Sequence, residues 1–146
     1  MTAATIGQRF YRGPKTFFHG GAPGLRIGAW ILPSWETGAT GHHTEFPYGP
    51  DHIYDVNSVY MVTELDVAKV FAAMWPITGG RGGDVYRVEP LVHVSLDLEC
   101  GREHLSWLAP RARIVGIAAT GVRRKPYAAR IAEIAAARRG DYQWTL

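Results

Sequence analysis

The residues best able to do chemistry are a histidine, a tyrosine and a carboxylate, each near the end of an apolar run. His19 closes Phe17-Phe18-His19-Gly20-Gly21. A histidine at a strand end can face a cleft, and two glycines behind it let bare backbone approach a ligand. A structural histidine fits the same residues. Tyr60 lies in Ser58-Val59-Tyr60-Met61-Val62-Thr63-Glu64. Alternation turns it away from Val59 and Met61, and taken alone it reads as a core tyrosine whose hydroxyl finds one partner. Asp97 follows Asp84-Val85-Tyr86-Arg87-Val88-Glu89-Pro90, seven residues after the proline. It shares a strand face with His93 and Ser95, and a lone aspartate there is ordinarily a solvated surface residue.

Other groupings are weaker. His42, His43, Asp51 and His52 have metal-binding side chains, but adjacent histidines rarely chelate one ion and their segment has no regular period. Cys100 with His104 lacks a visible activating environment and reads as an inert thiol. Gly79-Gly80-Arg81-Gly82-Gly83 lacks the Gly-Lys-Ser/Thr ending of a phosphate loop, so it reads as a turn between helix and strand.

These residues need elements to position them. Strands are expected at about 17–19, 58–62, 85–89, 92–98 and 113–118, from β-branched, aromatic and alternating residues. On 92–98, Val92, Val94, Leu96 and Leu98 fall on one face. A short apolar run, Gly28 to Pro33, precedes a turn-rich segment over 34–57 that is long for a compact domain. Leu65, Ala68, Phe71, Ala72 and Trp75 have helical spacing. That predicts a helix over 64–75, capped by Thr63 with Asp66 three residues on and stopped by Pro76. A last helix over 126–139 has Pro126 in its first turn, an apolar stripe of Tyr127, Ile131, Ile134 and Ala135, and Gly140 at its end. The sum is one α+β domain over 1–146 with five or six strands and two or three helices.

The 146 residues suit a single domain, and 47% apolar with 20% charged residues is a globular balance rather than a disordered one. Lys69 and Pro76 interrupt the best apolar run, and Met1 to Gly13 lacks the order of a signal peptide. One cysteine excludes an internal disulfide and a multi-cysteine zinc site. The expectation is a cytoplasmic monomer away from membranes. Residues 1–101 carry 7 Lys/Arg and 10 Asp/Glu, net −3, and residues 102–146 carry 9 and 3, net +6. Of the 16 basic residues 13 are arginine, which suits an anionic ligand and is equally what GC-rich codons produce. The basic third, with Arg123, Arg124, Lys125, Arg130, Arg138 and Arg139, raises a nucleic-acid-binding module as the other class of function. It contains no named nucleic-acid motif.

Taken together the pieces resemble a known family. A strand ending His19-Gly20, a Val59-Tyr60 strand leading through Thr63 to a Leu65-Asp66-x-Ala68 helix, a Gly/Arg-rich loop and Val85-Tyr86-x-Val88-Glu89-Pro90 are similar to the small bacterial ADP-ribosyltransferases that inactivate rifamycins. The resemblance runs from about Thr16 to Ile117 and is most specific from Tyr60 to Pro90. It implies a split, bent β-core with a few flanking helices and NAD⁺ between its halves, consumed as substrate without a metal. It also implies a catalytic triad of His19, Tyr60 and Asp97. In that role Tyr60 stacks on nicotinamide, His19 bonds a ribose hydroxyl, the Gly20 backbone pairs with the carboxamide, and Arg81 and Arg87 meet the pyrophosphate. Asp97 then stabilises the oxocarbenium-like ribose, more in the transition state than in the ground state. Glu99, on the same strand face, is the alternative carboxylate. The 34–57 segment is longer than the family's and unlike it. The acceptor thus stays open between a rifamycin-like small molecule, to which Trp35, Phe46, Tyr48 and Tyr54 offer flat apolar surface, a macromolecule, and water.

Overall fold

A computed structural model describes residues 16–33, 58–75, 82–91, 93–97 and 105–138, with side chains to Glu133 in the last helix. Alternating and β-branched segments form strands β1 (Phe17–Gly21), β2 (Trp30–Ile31), β3 (Val59–Val62), β4 (Asp84–Leu91), β5 (Ser95–Leu96), β6 (Ser106–Ala109) and β7 (Arg111–Ala119). Helix α1 spans Leu65–Ala73, and a 3₁₀ turn at Lys125–Tyr127 leads into α2 (Ala128–Arg138). The strands make one sheet in the order β2-β7-β4-β1-β3-β6-β5, with antiparallel pairs throughout. The α+β expectation holds at this level. No helix among the described residues is long and apolar enough to cross a membrane.

Pleating sends alternate residues into two cores. On one face Val62 and Val85 pack with Val67, Ala68, Val70, Ala72 and Ala73 of α1, and Phe18 packs against them. On the other, Phe17, Met61, Tyr86, Val88, Trp107 and Ile114 form a second cluster, in which the Phe17 and Trp107 rings meet edge to face at 6.1 Å. α1 lies close to the sheet because Gly20 has no side chain. A Cβ there would stand 2.1 Å from the Ala68 carbonyl oxygen and 2.7 Å from the Ala72 nitrogen.

Several local expectations need correction. The N-cap of α1 is Glu64, with no side-chain cap bond, so the cap lies one residue past Thr63. Buried Val67 and Val70 widen its apolar face beyond the predicted stripe, and α1 ends at Ala73, before Pro76. Its last carbonyls are held from outside: Arg124 donates Nε to Ala73 O at 3.0 Å and Nη2 to Met74 O at 2.9 Å. β4 continues through Pro90 to Leu91. β1 pairs it only as far as Val88, so the missing proline N–H leaves no gap against β1. Of the strand predicted over 92–98 only Ser95–Leu96 is regular, and Val92 and Leu98 lie outside the described residues. β6 was not expected at all. Residues Leu105 to Ala109 are covered on both faces, which erases the alternation that marks a half-exposed strand.

Candidate active site

The sheet is nearly divided between β1 and β3. They share one registered pair, Phe18↔Val62, whereas β1 follows β4 for five residues from Phe17↔Val88 to Gly21↔Asp84. Past Phe18 the ladder stops and a side chain takes over. His19 Nδ1 lies 2.8 Å from the carbonyl oxygen of Tyr60. A carbonyl only accepts, so Nδ1 carries the proton, and in the neutral ring Nε2 keeps its lone pair. Burial favours the neutral ring, pushing the His19 pKa below the ordinary histidine value, and the bond to Tyr60 only partly opposes it. Gly21 gives Nε2 its room, because a Cβ on Gly21 would stand 2.7 Å from that nitrogen. The second glycine of the motif therefore shapes the space beside the imidazole. The first, Gly20, also makes room for α1.

Register and pleat place the other two residues. Val62 opposes Ser106, and the Asp97 N–H donates to the Ser106 carbonyl at 2.9 Å, extending the β5–β6 ladder by one residue. Val62, Ser106 and Asp97 thus form one buried row on the α1 face. The neighbouring row on that face, two residues along, is Tyr60, Leu108 and Ser95, all half-buried. Tyr60 and Asp97 share a face in adjacent rows two strands apart, with Cα atoms about 12 Å from one another by strand spacing and rise. His19 belongs to the opposite face, opposite Tyr86, and reaches Tyr60 through the gap in the ladder.

Asp97 is not the solvated residue that a lone aspartate on a strand suggested. Among the described residues the buried polar or charged side chains are Asp84, Asp97 and Ser106, and Asp97 is 8% exposed. The Ser106 hydroxyl donates to its Oδ2 at 2.7 Å. Asp84 is structural: its two oxygens accept the Gly24 and Gly121 N–H groups at 2.9 and 2.7 Å. Tyr86 ties down the same stretch, donating its hydroxyl to Ala22 O and accepting from Leu25 N. Burial is the main cause that raises the Tyr86 phenol above its ordinary pKa.

Arg87 is exposed on the face that carries Tyr60 and Asp97, in the row of Phe18 and one strand beyond it. Its guanidinium runs over Gly116, its partner on β7. Arg81, Glu99, Cys100, His104 and the 34–57 segment, with His42, His43, Asp51, His52 and its aromatics, lie outside the described residues. In the basic third, Arg124 is engaged at the end of α1, while Arg123, Lys125 and Arg130 are exposed. Sequence reasoning passed over Ser106. The one signal for it was a lone polar residue inside an apolar run. No family model matches the chain, and no curated protein is significantly similar to it.

Proposed function

We propose that this protein is a mono-ADP-ribosyltransferase that takes NAD⁺ as donor, of the kind its motifs resemble. The observation that carries the reading is the short ladder between β1 and β3, where His19 bonds the Tyr60 carbonyl, with a buried carboxylate, Asp97, one row along and two strands away on the Tyr60 face. A neutral histidine whose Nε2 accepts suits a ribose hydroxyl. The Tyr60 ring suits the nicotinamide, and Arg87 suits an anionic pyrophosphate. Arg81 is assigned to the pyrophosphate and Gly20 to the carboxamide by the resemblance alone.

The reaction breaks the bond between ribose C1′ and the nicotinamide nitrogen. Nicotinamide leaves with the bonding electrons, and positive charge develops on the ribose. Asp97 stabilises that charge as it forms, where its effect on the barrier is greatest. An acceptor hydroxyl or other nucleophile then bonds to C1′ and releases its proton. A rifamycin-like small molecule or a macromolecule gives ADP-ribosyl transfer. Water gives NAD⁺ hydrolysis, the activity of a glycohydrolase toxin.

The test is incubation with isotopically labelled NAD⁺, with and without rifampicin, and mass analysis of every product. Labelled ADP-ribose on rifampicin, or on the protein fraction of a lysate, supports transfer. Free ADP-ribose alone supports hydrolysis. Intact NAD⁺ throughout, with no saturable binding at millimolar concentration, refutes the reading and leaves the nucleic-acid module as the alternative. That alternative predicts DNA or RNA binding that weakens steeply with salt.

A further inference from the structure

Asp97 is held twice by one residue, once at its main chain and once at its carboxylate. Asp97 lies one position past the end of β5, at the last rung of the β5–β6 ladder. Its N–H donates to the Ser106 carbonyl, which sets the main chain, and the Ser106 hydroxyl donates to Oδ2, which sets the carboxylate. Ser106 is itself 3% exposed and sits within a four-residue strand paired on both sides, by β3 and β5. It is thus a donor fixed between two strands, set against a group just past the end of a two-residue one. The contrast with Asp84 is instructive. That buried aspartate receives two backbone N–H groups from two loops, the pattern of a structural staple. Asp97 instead meets a side-chain hydroxyl, which can be removed without touching the backbone.

We propose that Ser106 is a positioning residue, which locks the Asp97 carboxylate in the orientation that meets the charge developing on ribose. The inference rests on the ADP-ribosyl transfer reading. Catalytic groups need placement to within a fraction of an ångström, and packing together with supporting hydrogen bonds such as this one supplies it.

The experiment is a double-mutant cycle of Ser106→Ala and Asp97→Asn, measuring kcat and KM for NAD⁺ turnover with melting temperatures in parallel. Ser106→Ala should lower kcat by about 10- to 100-fold, the worth of one hydrogen bond to a charged group, with KM for NAD⁺ within about twofold of wild type. Ser106→Cys, near-isosteric but a weaker donor, should fall between the two and serves as the probe should the alanine variant unfold. In the Asp97→Asn background the same serine changes should cost almost nothing further, because the group they orient has gone. A purely structural serine would lower stability and activity equally in both backgrounds, and that result overturns the proposal. So does a serine variant with wild-type kcat. If the wild-type protein leaves labelled NAD⁺ intact, the function itself fails, and that is distinguishable because no serine variant need be made to see it.

Discussion

Replacing Gly20 by alanine separates what the sheet needs from what a ligand needs. The new Cβ would stand 2.1 Å from Ala68 O, 2.7 Å from Ala72 N and 3.1 Å from Ala68 C, all backbone atoms of α1. An unstrained carbon–oxygen contact is more than an ångström longer than the first of these, so the helix must lift. It is poorly free to do so. Arg124 holds the Ala73 and Met74 carbonyls at its end, and the Gly83 N–H donates to Ala72 O at 2.6 Å. Gly20 is not among the glycines with positive φ, which among the described residues are Gly24, Gly28 and Gly121, so backbone strain does not confuse the result. Overpacking ordinarily costs about 1–3 kcal/mol, and a clash against anchored backbone belongs at the top, about 3 kcal/mol. At roughly 2–4 °C per kcal/mol for a chain near this size, the midpoint should fall by about 6–12 °C. The assay is thermal unfolding followed by circular dichroism at 222 nm. Gly21→Ala is the control, since its nearest neighbour is the movable His19 ring, with Nε2 at 2.7 Å. A Gly20→Ala protein melting within about 2 °C of wild type would refute the helix packing. A Gly21→Ala protein losing as much as Gly20→Ala would refute the distinction between the two glycines.

Four further outcomes follow from the same geometry. Gly21→Ala should push the His19 imidazole aside and cut NAD⁺ turnover while the fold survives, which steady-state kinetics beside a melting curve will show. Asp97→Asn should lower kcat by at least about 100-fold with NAD⁺ affinity nearly unchanged, as calorimetry and kinetics together report, whereas loss in Glu99→Gln alone would move the catalytic role to Glu99. The lowered His19 pKa fixes the sign of one pH effect. The unfolded chain takes up this proton at higher pH than the folded one, so stability is full above about pH 6.5 and declines as pH falls from there to the lowered value. Urea titrations should show that slope reduced in His19→Asn, and an unchanged slope would contradict it. Arg124→Ala should destabilise the protein by about 1–3 kcal/mol through loss of two charge-assisted bonds at the end of α1, read from the shift in urea midpoint.

Periodicity carried much of the architecture because most strands keep unlike faces. The Val59–Tyr60–Met61 alternation correctly separated the tyrosine from its neighbours, since Val59 and Met61 go to the second core and Tyr60 to the α1 face. The last helix was equally legible, and so was the alternation from Tyr86 to Glu89, although Asp84, Val85 and Tyr86 are all buried. β6 was hidden because Trp107 and Ala109 are buried in one core while Ser106 is buried on the opposite face, leaving no polar side to read. Burial of Asp97 was illegible for a related reason: its cover comes from β6, which the local pattern did not reveal. The helix contact at Gly20 joins residues about fifty positions apart, and no local spacing encodes it. His19 and Asp97 were marked by residue type, but the donor to one and the acceptor of the other, Ser106 and the Tyr60 carbonyl, are properties of the register.

The sparse ladder between β1 and β3 has a consequence for how such a protein can change over generations. Phe17 of β1 and Trp107 of β6 meet across that seam, and Val62 and Val85 lie on either side of it within the other core. Dispersion and burial tolerate small sliding in a way that a row of directional bonds does not. The spacing of β1 and β3 beside His19 is therefore set largely by the volumes of the side chains packed around it. A change from Phe17 to leucine, or a methylene gained or lost at Met61, would shift that spacing from beneath. The spacing at the seam is thus open to adjustment from positions deep in the interior, while His19 keeps its bond to the Tyr60 carbonyl.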